Sequence, residues 1–569
     1  MIEREIRQFR QLLRLSYNRL LEAALSSREI DAVQFVIWGG ALMSTFPFFY
    51  AIGVTSAYPY KLSRLPFPQF QIEVLQDRLF FVTWAMITAM LLVSLIWDAV
   101  FPDRTDQQIL GVLPVRSRTV AAARLSATLM TSIAFISSTS VLGATLYALT
   151  AAVHPSLGSR AAILAGHLLA AVMAGLFTTC ALLTVRAVIV LAAGAVAAAR
   201  VALVLQVVTV ILLFETFMFL PGLLPGIVQQ IIKDPSGPSA WAPPAWFLGT
   251  YVSIAGPDVA NLGGLSRIAG IATMAAFITA WAMYLIPATW NARRAIEARL
   301  PGGSNAWTAG LLGTLDVVRP SPAARVTFGF VLQSLTRNKQ QLQTVAIYVG
   351  LAVAAAGTRL LSAAASGSPW SFDRPTDYLL AIPLVITFVL VLGLRAAFAN
   401  PTEPAANWIF RLVSTRAPAP CIAATRAAVI ALAVLPASGL TLLFGLWRWA
   451  PSEALSVALM HAASGVALTE IAMLGARAIP FTRAHAPSTA ALKVGWYAAL
   501  VALHLYAFRL DDVQLAALGL PLVGPLLYVG GAIGAAALVR TAGRWWFTET
   551  DLLFDAPSDT LTVLNLSRS

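Results

Sequence analysis

Residues 79–124 read LFFVTWAMITAMLLVSLIWDAVFPDRTDQQILGVLPVRSRTVAAAR. The first part, 79–99, is apolar over about the 20 residues a helix needs to cross a bilayer. The second part, Phe101 to Arg124, is polar and leads into another long apolar run. Within it Asp106, Gln107 and Gln108 precede the short run Ile109–Leu113, and Pro114, Arg116 and Arg118 follow. A short amphipathic helix ended by Leu113-Pro114 would lie across the membrane surface. It would offer a small apolar ridge, including Leu110 and Leu113, to a soluble partner. The next helix would leave at an angle carrying Arg124. Taken alone, the stretch reads equally well as an ordinary polar loop. Either way the alternation of apolar run and polar surface predicts an all-α integral membrane protein.

Composition agrees. Of 569 residues 58% are apolar and 11% charged, with mean hydropathy +0.76. Soluble domains are about a quarter charged, so lipid must cover the excess apolar surface. The net charge of +13 does not indicate a nucleic-acid partner, because the basic residues are scattered among apolar runs rather than gathered on one surface. Cys180 and Cys421 have no metal-ligand spacing and imply no disulfide framework. The basic, polar N-terminus does not read as a signal peptide.

Residues 1–30 carry Ile2, Ile6, Phe9, Leu13, Tyr17 and Leu20 at helical spacing, flanked by Arg7, Arg10, Arg14 and Arg19. Such a helix suits the membrane interface. Spans are expected near 33–56, 79–99, 120–152, 161–184, 200–220 and 265–290. A second set is expected near 344–366, 377–396, 422–447, 454–476, 494–510 and 519–538. The 185–200 stretch reads as a re-entrant piece, an interfacial piece, or the start of one long broken span. With about twelve spans, most of the 39 basic residues fall on the N-terminal side, which predicts cytoplasmic termini. On the outer side, Leu224, Ile227, Val228 and Ile231 give 221–233 one apolar face suited to the outer leaflet. Trp241–Gly249, WAPPAWFLG, reads as an interfacial anchor or as a lid.

The two sets resemble repeats. The first six-helix half is expected over 1–298, a linker over 299–324, the second half over 325–540 and a cytoplasmic tail over 541–569. Each half opens with an amphipathic helix. In the second half this is Arg325–Leu342, with Phe328, Val331, Leu332 and Leu335 on one face. Each half then has two spans, a polar loop (100–120 and 397–421) and four more spans. In the second loop Glu403, Asn407, Trp408 and Arg411 take the place of the first ridge. Internal duplication is common in transporters, whose cargo path lies between the halves.

No GxxxxGK[ST] loop is present: none of Lys61, Lys233, Lys339 and Lys493 follows a glycine, so ATP hydrolysis by this chain is not expected. There is no HExxH or CxxC, and His154, His167, His461, His485 and His504 are dispersed. No catalytic residue, bound cofactor or metal ligand is expected. Ionisable residues in or near spans are Asp98, Arg124, Glu215, Arg267, Arg359, Arg395, Arg426 and Glu470. Burial of charge in lipid is costly. Most of these lie near span ends, where snorkelling accounts for them. Glu215 and Glu470 do not. Each would carry a proton in a coupled carrier or bond to a neighbouring helix.

In its order of elements the chain resembles the permease subunits of ATP-binding-cassette exporters of the second type, also called type V exporters. The resemblance rests on the N-terminal interfacial helix, LGVLPVRSRTVAAARL as a coupling helix, PPAWFLGTYVSIAG as an outer segment re-entering before the sixth span, FVLQSLTRNKQQLQTVAIYVGLAVA as the start of the second unit, and AANWIFRL as its coupling loop. Most members carry one six-span unit and dimerise, whereas this chain would fuse two. The resemblance implies a bacterial inner-membrane permease that exports an amphiphilic or hydrophobic substrate. It would be driven by two separate ATPase subunits, which bind the ATP and Mg. A major-facilitator-like secondary carrier is the first alternative, but Asp103-Arg104 lacks the glycine frame and basic triplet of that family's loop. A non-transporting membrane scaffold is the second.

Overall fold

Helix is the only regular structure in the computed structural model among the described residues. These are 2–24, 32–97, 100, 115–152, 158–234, 237–256, 262–285, 322–365, 372–399, 418–474, 479–482, 502–503, 505–506 and 509–546. Nine helices among them are long and apolar enough to cross a membrane. The chain is an all-α multi-pass membrane protein. It divides into two compact units, Met1–Leu300 and Pro301–Ser569.

In the first unit, α1 (Ile2–Ala24) is amphipathic, as its spacing predicts. Its stripe divides along its length. Ile6 is exposed, whereas Leu13 and Tyr17 pack against a cluster in which Leu20 is buried with Leu92, Leu125, Cys180 and Tyr284. Arg7, Arg10 and Arg14 point outward. The next helix, α2 (Ala32–Arg64), contains the expected first span and holds Pro47 and Pro59 in its interior. It crosses α4 (Ser117–Ala151) closely. A Cβ on Gly40 would sit 2.1 Å from Ser138 Oγ, and one on Gly143 would sit 3.2 Å from Pro47 Cβ. Between membrane helices, where lipid removes the hydrophobic drive, this close approach supplies the van der Waals contact.

The helix between them, α3 (Phe67–Ile96), starts earlier than the expected boundary at 79. Phe67-Pro68 opens it, and a proline in the first turn lacks an N–H that would have no helical partner anyway. At Ser159 the side chain accepts from Ala162 N at 3.2 Å and caps α5 (Arg160–Lys233). Two arms make up α5, separated at Gly194, whose φ of 84° and ψ of 175° belong to a backbone region that is essentially glycine-only. The 185–200 stretch is therefore the end of one arm and the start of the next, the broken-span alternative. The first arm has 35 residues. At 1.5 Å per residue it is about 50 Å long, more than the roughly 30 Å of a bilayer core.

The second arm corrects one expectation. Leu224, Val228 and Ile231 do not face the outer leaflet. Each is 1% exposed, and with Ile227 they join the main core of the unit. Their apolar face meets protein because the arm continues as helix through Pro221 and lies against that core. A 3-10 turn (Pro238–Trp241) then leads into the short α6 (Pro243–Ala255). The interfacial-anchor expectation fits Trp241 alone, which is 75% exposed, since Phe247, Leu248 and Gly249 are buried. The last helix, α7 (Gly263–Leu285), turns Ile268, Ile271, Met274 and Ile278 outward at helical spacing. That stripe belongs against lipid.

The second unit opens with α8 (Pro322–Arg337), whose Phe328, Val331, Leu332 and Leu335 are all buried, as the spacing requires. At Asn338 the chain turns into α9 (Lys339–Ala365), followed by α10 (Asp377–Ala399). Next come α11 (Pro418–Val429), a π turn (Ile430–Val434) and α12 (Leu435–Arg448), the expected 422–447 span. Pro436 accounts for the π turn. It lacks the N–H that would pair with the Leu432 carbonyl, and its ring would clash there. The helix widens by one residue instead, and Leu435 N–H bonds to Ile430 O. The unit continues with α13 (Pro451–Ala472), the short α14 (Leu510–Leu518) and α15 (Val523–Trp546). The expected span 494–510 falls almost wholly outside the described residues. So do most of the linker and the tail from 547 onward.

Candidate functional site

Asp77-Arg78 on α3 form a charged point in the interior of the first unit. They are 7% and 3% exposed. Their burial follows from register: Phe70, Val74, Asp77 and Phe81 recur at four, three and four residues, so Asp77 occupies a place in the buried stripe. Four tyrosines and a histidine from four other helices close around the pair.

Tyr50 Oη, from α2, donates to Asp77 Oδ1 at 2.8 Å. Tyr58 Oη, also from α2, donates to Asp77 Oδ2 at 2.5 Å. Tyr58 Oη in turn lies 2.9 Å from Tyr147 Oη of α4. Arg78 bonds to the Tyr147 hydroxyl. Consecutive residues on a helix do not face each other, so Asp77 and Arg78 communicate through the phenols. A phenol has one proton to give. Tyr58 spends it on the carboxylate, so Tyr147 must donate to Tyr58 and Arg78 to Tyr147. All the bonds therefore run one way, from guanidinium to carboxylate, and such chains strengthen each member. Lys61 also lies near the carboxylate and pairs with Glu73 at 2.5 Å.

The other face of Arg78 meets α6. Its guanidinium carbon sits 5.1 Å from the centre of the Tyr251 ring, within cation–π range. Tyr251 Oη is 3.4 Å from His167 Nδ1 on the first arm of α5. The Phe81 ring packs on both His167 and Tyr147. The short helix is thus fastened to α3 and α5 through one tyrosine. Gly166 makes room for it: a Cβ there would stand 3.0 Å from the Tyr251 ring and carbonyl.

The second unit has its own interior polar groups. His461 on α13 is 2% exposed and lies near Gln514 of the short α14. Gln514 Nε2 donates to Tyr528 Oη of α15 at 3.1 Å, and Tyr528 Oη lies 2.7 Å from Ser464 Oγ. Asp511, also on α14, pairs with Arg359 of α9 at 3.5 Å. Elsewhere in the unit Glu470 is held between Arg426 Nε at 3.3 Å and Arg540 Nη2 at 2.9 Å. Of the two readings for Glu470, bonding to neighbouring helices is the one its geometry describes: it ties α13 to α11 and α15. Glu215 is half-buried on the second arm of α5. Arg267 and Arg395 are exposed near helix ends.

Most of the expected docking residues, Asp106, Leu110, Leu113, Pro114, Glu403, Asn407, Trp408 and Arg411, lie outside the described residues, as does Asp98. Arg116 precedes α4 and is exposed. Arg124 is a correction. It is 5% exposed, on the face of α4 turned to α5 and α7, where it and Arg186 approach the Tyr284 hydroxyl. Two turns inside the helix, it cannot form part of a surface ridge. Arg186 also lies 5.2 Å from the Trp97 ring centre.

The residues of the Asp77 network are not among the site residues that the sequence predicts. The span boundary at 79 stopped one residue short of Arg78, Tyr58 fell outside the first expected span, and the histidines were judged dispersed. The stripe Phe70, Val74, Asp77, Phe81 was the available signal. Among the described residues no group of His, Cys, Asp or Glu could hold a metal ion. Comparison with known proteins gave no family model, no curated protein and no solved structure that matches the chain.

Proposed function

We propose that this chain is the membrane permease of an ATP-driven exporter for an amphiphilic or hydrophobic substrate, with two six-helix halves fused and energy supplied by separate ATPase subunits. One observation carries the reading. In each unit a buried histidine on a long helix lies against a short helix that precedes the last described one: His167 bonds to Tyr251, and His461 lies near Gln514. Each unit also opens with an amphipathic helix whose apolar face is at least partly buried. This parallel order supports a duplicated transporter. In this reading the short helices close the outer end. ATP-driven movement of the helices behind the 100–120 loop reaches α6 through α3 and α5, on which Tyr251 is fastened.

The test is purification of the full chain in mild detergent from cells carrying its neighbouring genes, followed by an ATPase assay. An associated ATPase with GxxxxGK[ST], whose hydrolysis drives substrate efflux, is the expected result. Asp106→Arg and Trp408→Ala should each weaken its retention. Transport driven by a proton gradient with no ATPase would favour the carrier. A stable complex without cargo movement would favour the scaffold.

A further inference from the structure

The second unit has a half-open cavity of about 220 Å³ where α8, α9, α10 and the π turn meet. Its wall includes Leu335, Val345, Tyr348, Gly393 and Leu432. The wall is apolar almost throughout. Thr336 contributes a methyl, because its hydroxyl bonds back to Leu332 O at 2.9 Å within α8. A buried water needs two to four polar partners, and this lining does not offer them. The occupant that fits is hydrocarbon.

Two features specify which hydrocarbon. The cavity lies beside an amphipathic helix, and a slot of about 220 Å³ suits part of a chain rather than a whole lipid. Two exposed arginines also follow lining residues in sequence. Arg337 follows the lining residue Thr336, and Arg395 follows the lining residue Leu394. Neither has an ion-pair partner among the described residues. Exposed arginines beside an apolar slot match a phosphate headgroup attached to a chain.

The shape of the slot has local causes. Gly393 brings α9 and α10 together, since a Cβ there would stand 2.5 Å from Tyr348 Cβ. The π turn imposed by Pro436 places Leu432 on the opposite wall. π turns of this kind recur at functional sites.

From this geometry we propose that the cavity binds one acyl chain of an anionic phospholipid, with the headgroup held by Arg337 and Arg395. The inference needs only that the chain spans a membrane. It is independent of the transport reading, and its failure would leave that reading unchanged.

The test uses the full chain in lipid nanodiscs containing phosphatidylglycerol with a mid-chain diazirine. Photolabelled peptides are mapped by mass spectrometry, with the lipid-facing stripe around Ile271 as internal reference. Labelling at residues 342–349 should exceed the reference. Val345→Trp should reduce it at least fivefold while reference labelling stays constant, which also reports that the variant is folded. In Arg337→Gln/Arg395→Gln, whose changes lie outside the slot, phosphatidylglycerol labelling should fall to the level given by phosphatidylcholine with the same chain. Labelling at 342–349 no higher than the reference, or unchanged by Val345→Trp, would overturn the chain site. Equal labelling by the two lipids in the unaltered protein would overturn the anionic headgroup.

Discussion

Removing the Tyr58 hydroxyl should cost more when Asp77 is present than when it is not. Tyr58 Oη sits 2.5 Å from Asp77 Oδ2 in an interior where both side chains are buried. Hydrogen bonds to charged groups contribute about 1.5–3 kcal/mol net. Tyr58→Phe and Asp77→Asn should each destabilise the protein. A double-mutant cycle between them should return a coupling energy of about 1.5–3 kcal/mol. The orientation of the chain makes a further demand. If Tyr147 donates to Tyr58, then Tyr147→Phe removes a donor to the phenol that serves the carboxylate. It should couple to Asp77→Asn although the two residues share no direct bond, by about 0.5–1 kcal/mol. Equilibrium unfolding of the purified variants in mixed detergent micelles, followed by tryptophan fluorescence, measures both cycles. Additivity of Tyr58→Phe and Asp77→Asn within about 0.5 kcal/mol would refute the network as an energetic unit. Direct coupling without any Tyr147 coupling would refute only its one-way polarity.

Other consequences are simpler to read. Glu470→Ala leaves Arg426 and Arg540 facing each other and should cost about 3–5 kcal/mol, more than Arg540→Ala, which leaves one ion pair intact; melting of the solubilised protein ranks the two. A Cβ at Gly194 would meet nothing within 4 Å, so Gly194→Ala should cost only the torsional strain, about 1–3 kcal/mol, and Gly194→Asn less than Gly194→Val by the same measurement. Tyr251→Phe keeps the ring over Arg78 and loses only the contact with His167. It should therefore destabilise the protein far less than Tyr251→Ala, by melting of the solubilised protein.

The membrane helices were legible because a long apolar run has few alternatives. The buried face of α8 was legible for the same reason: Phe328, Val331, Leu332 and Leu335 fall at one spacing, and all four are buried. Boundaries failed where charge lay inside. Hydropathy treats Asp77-Arg78 as an end, whereas α3 continues past them for ten residues toward Phe67 because tyrosines from α2 and α4 satisfy the charges. Those tyrosines are distant in sequence, and no local pattern brings them together. Arg124 was misplaced for a related reason. Its neighbours, Arg186 and Tyr284, come from the far end of the same unit. The face at 221–233 was read correctly as apolar and assigned to the wrong solvent, since periodicity says that a face is covered and not by what.

The break at Gly194 fixes something the helix count does not. Where one arm of α5 ends and the next begins, up to four carbonyls and four amides lose their helical partners. Hydrocarbon cannot satisfy them. Ala192 and Ala193, just before the break, are exposed and have no polar side chain to offer. Those backbone groups must therefore find water or headgroups. In a chain that spans a membrane such a break belongs at the edge of the bilayer, and the 35 residues of the first arm would then carry the His167–Tyr251 contact toward the opposite leaflet.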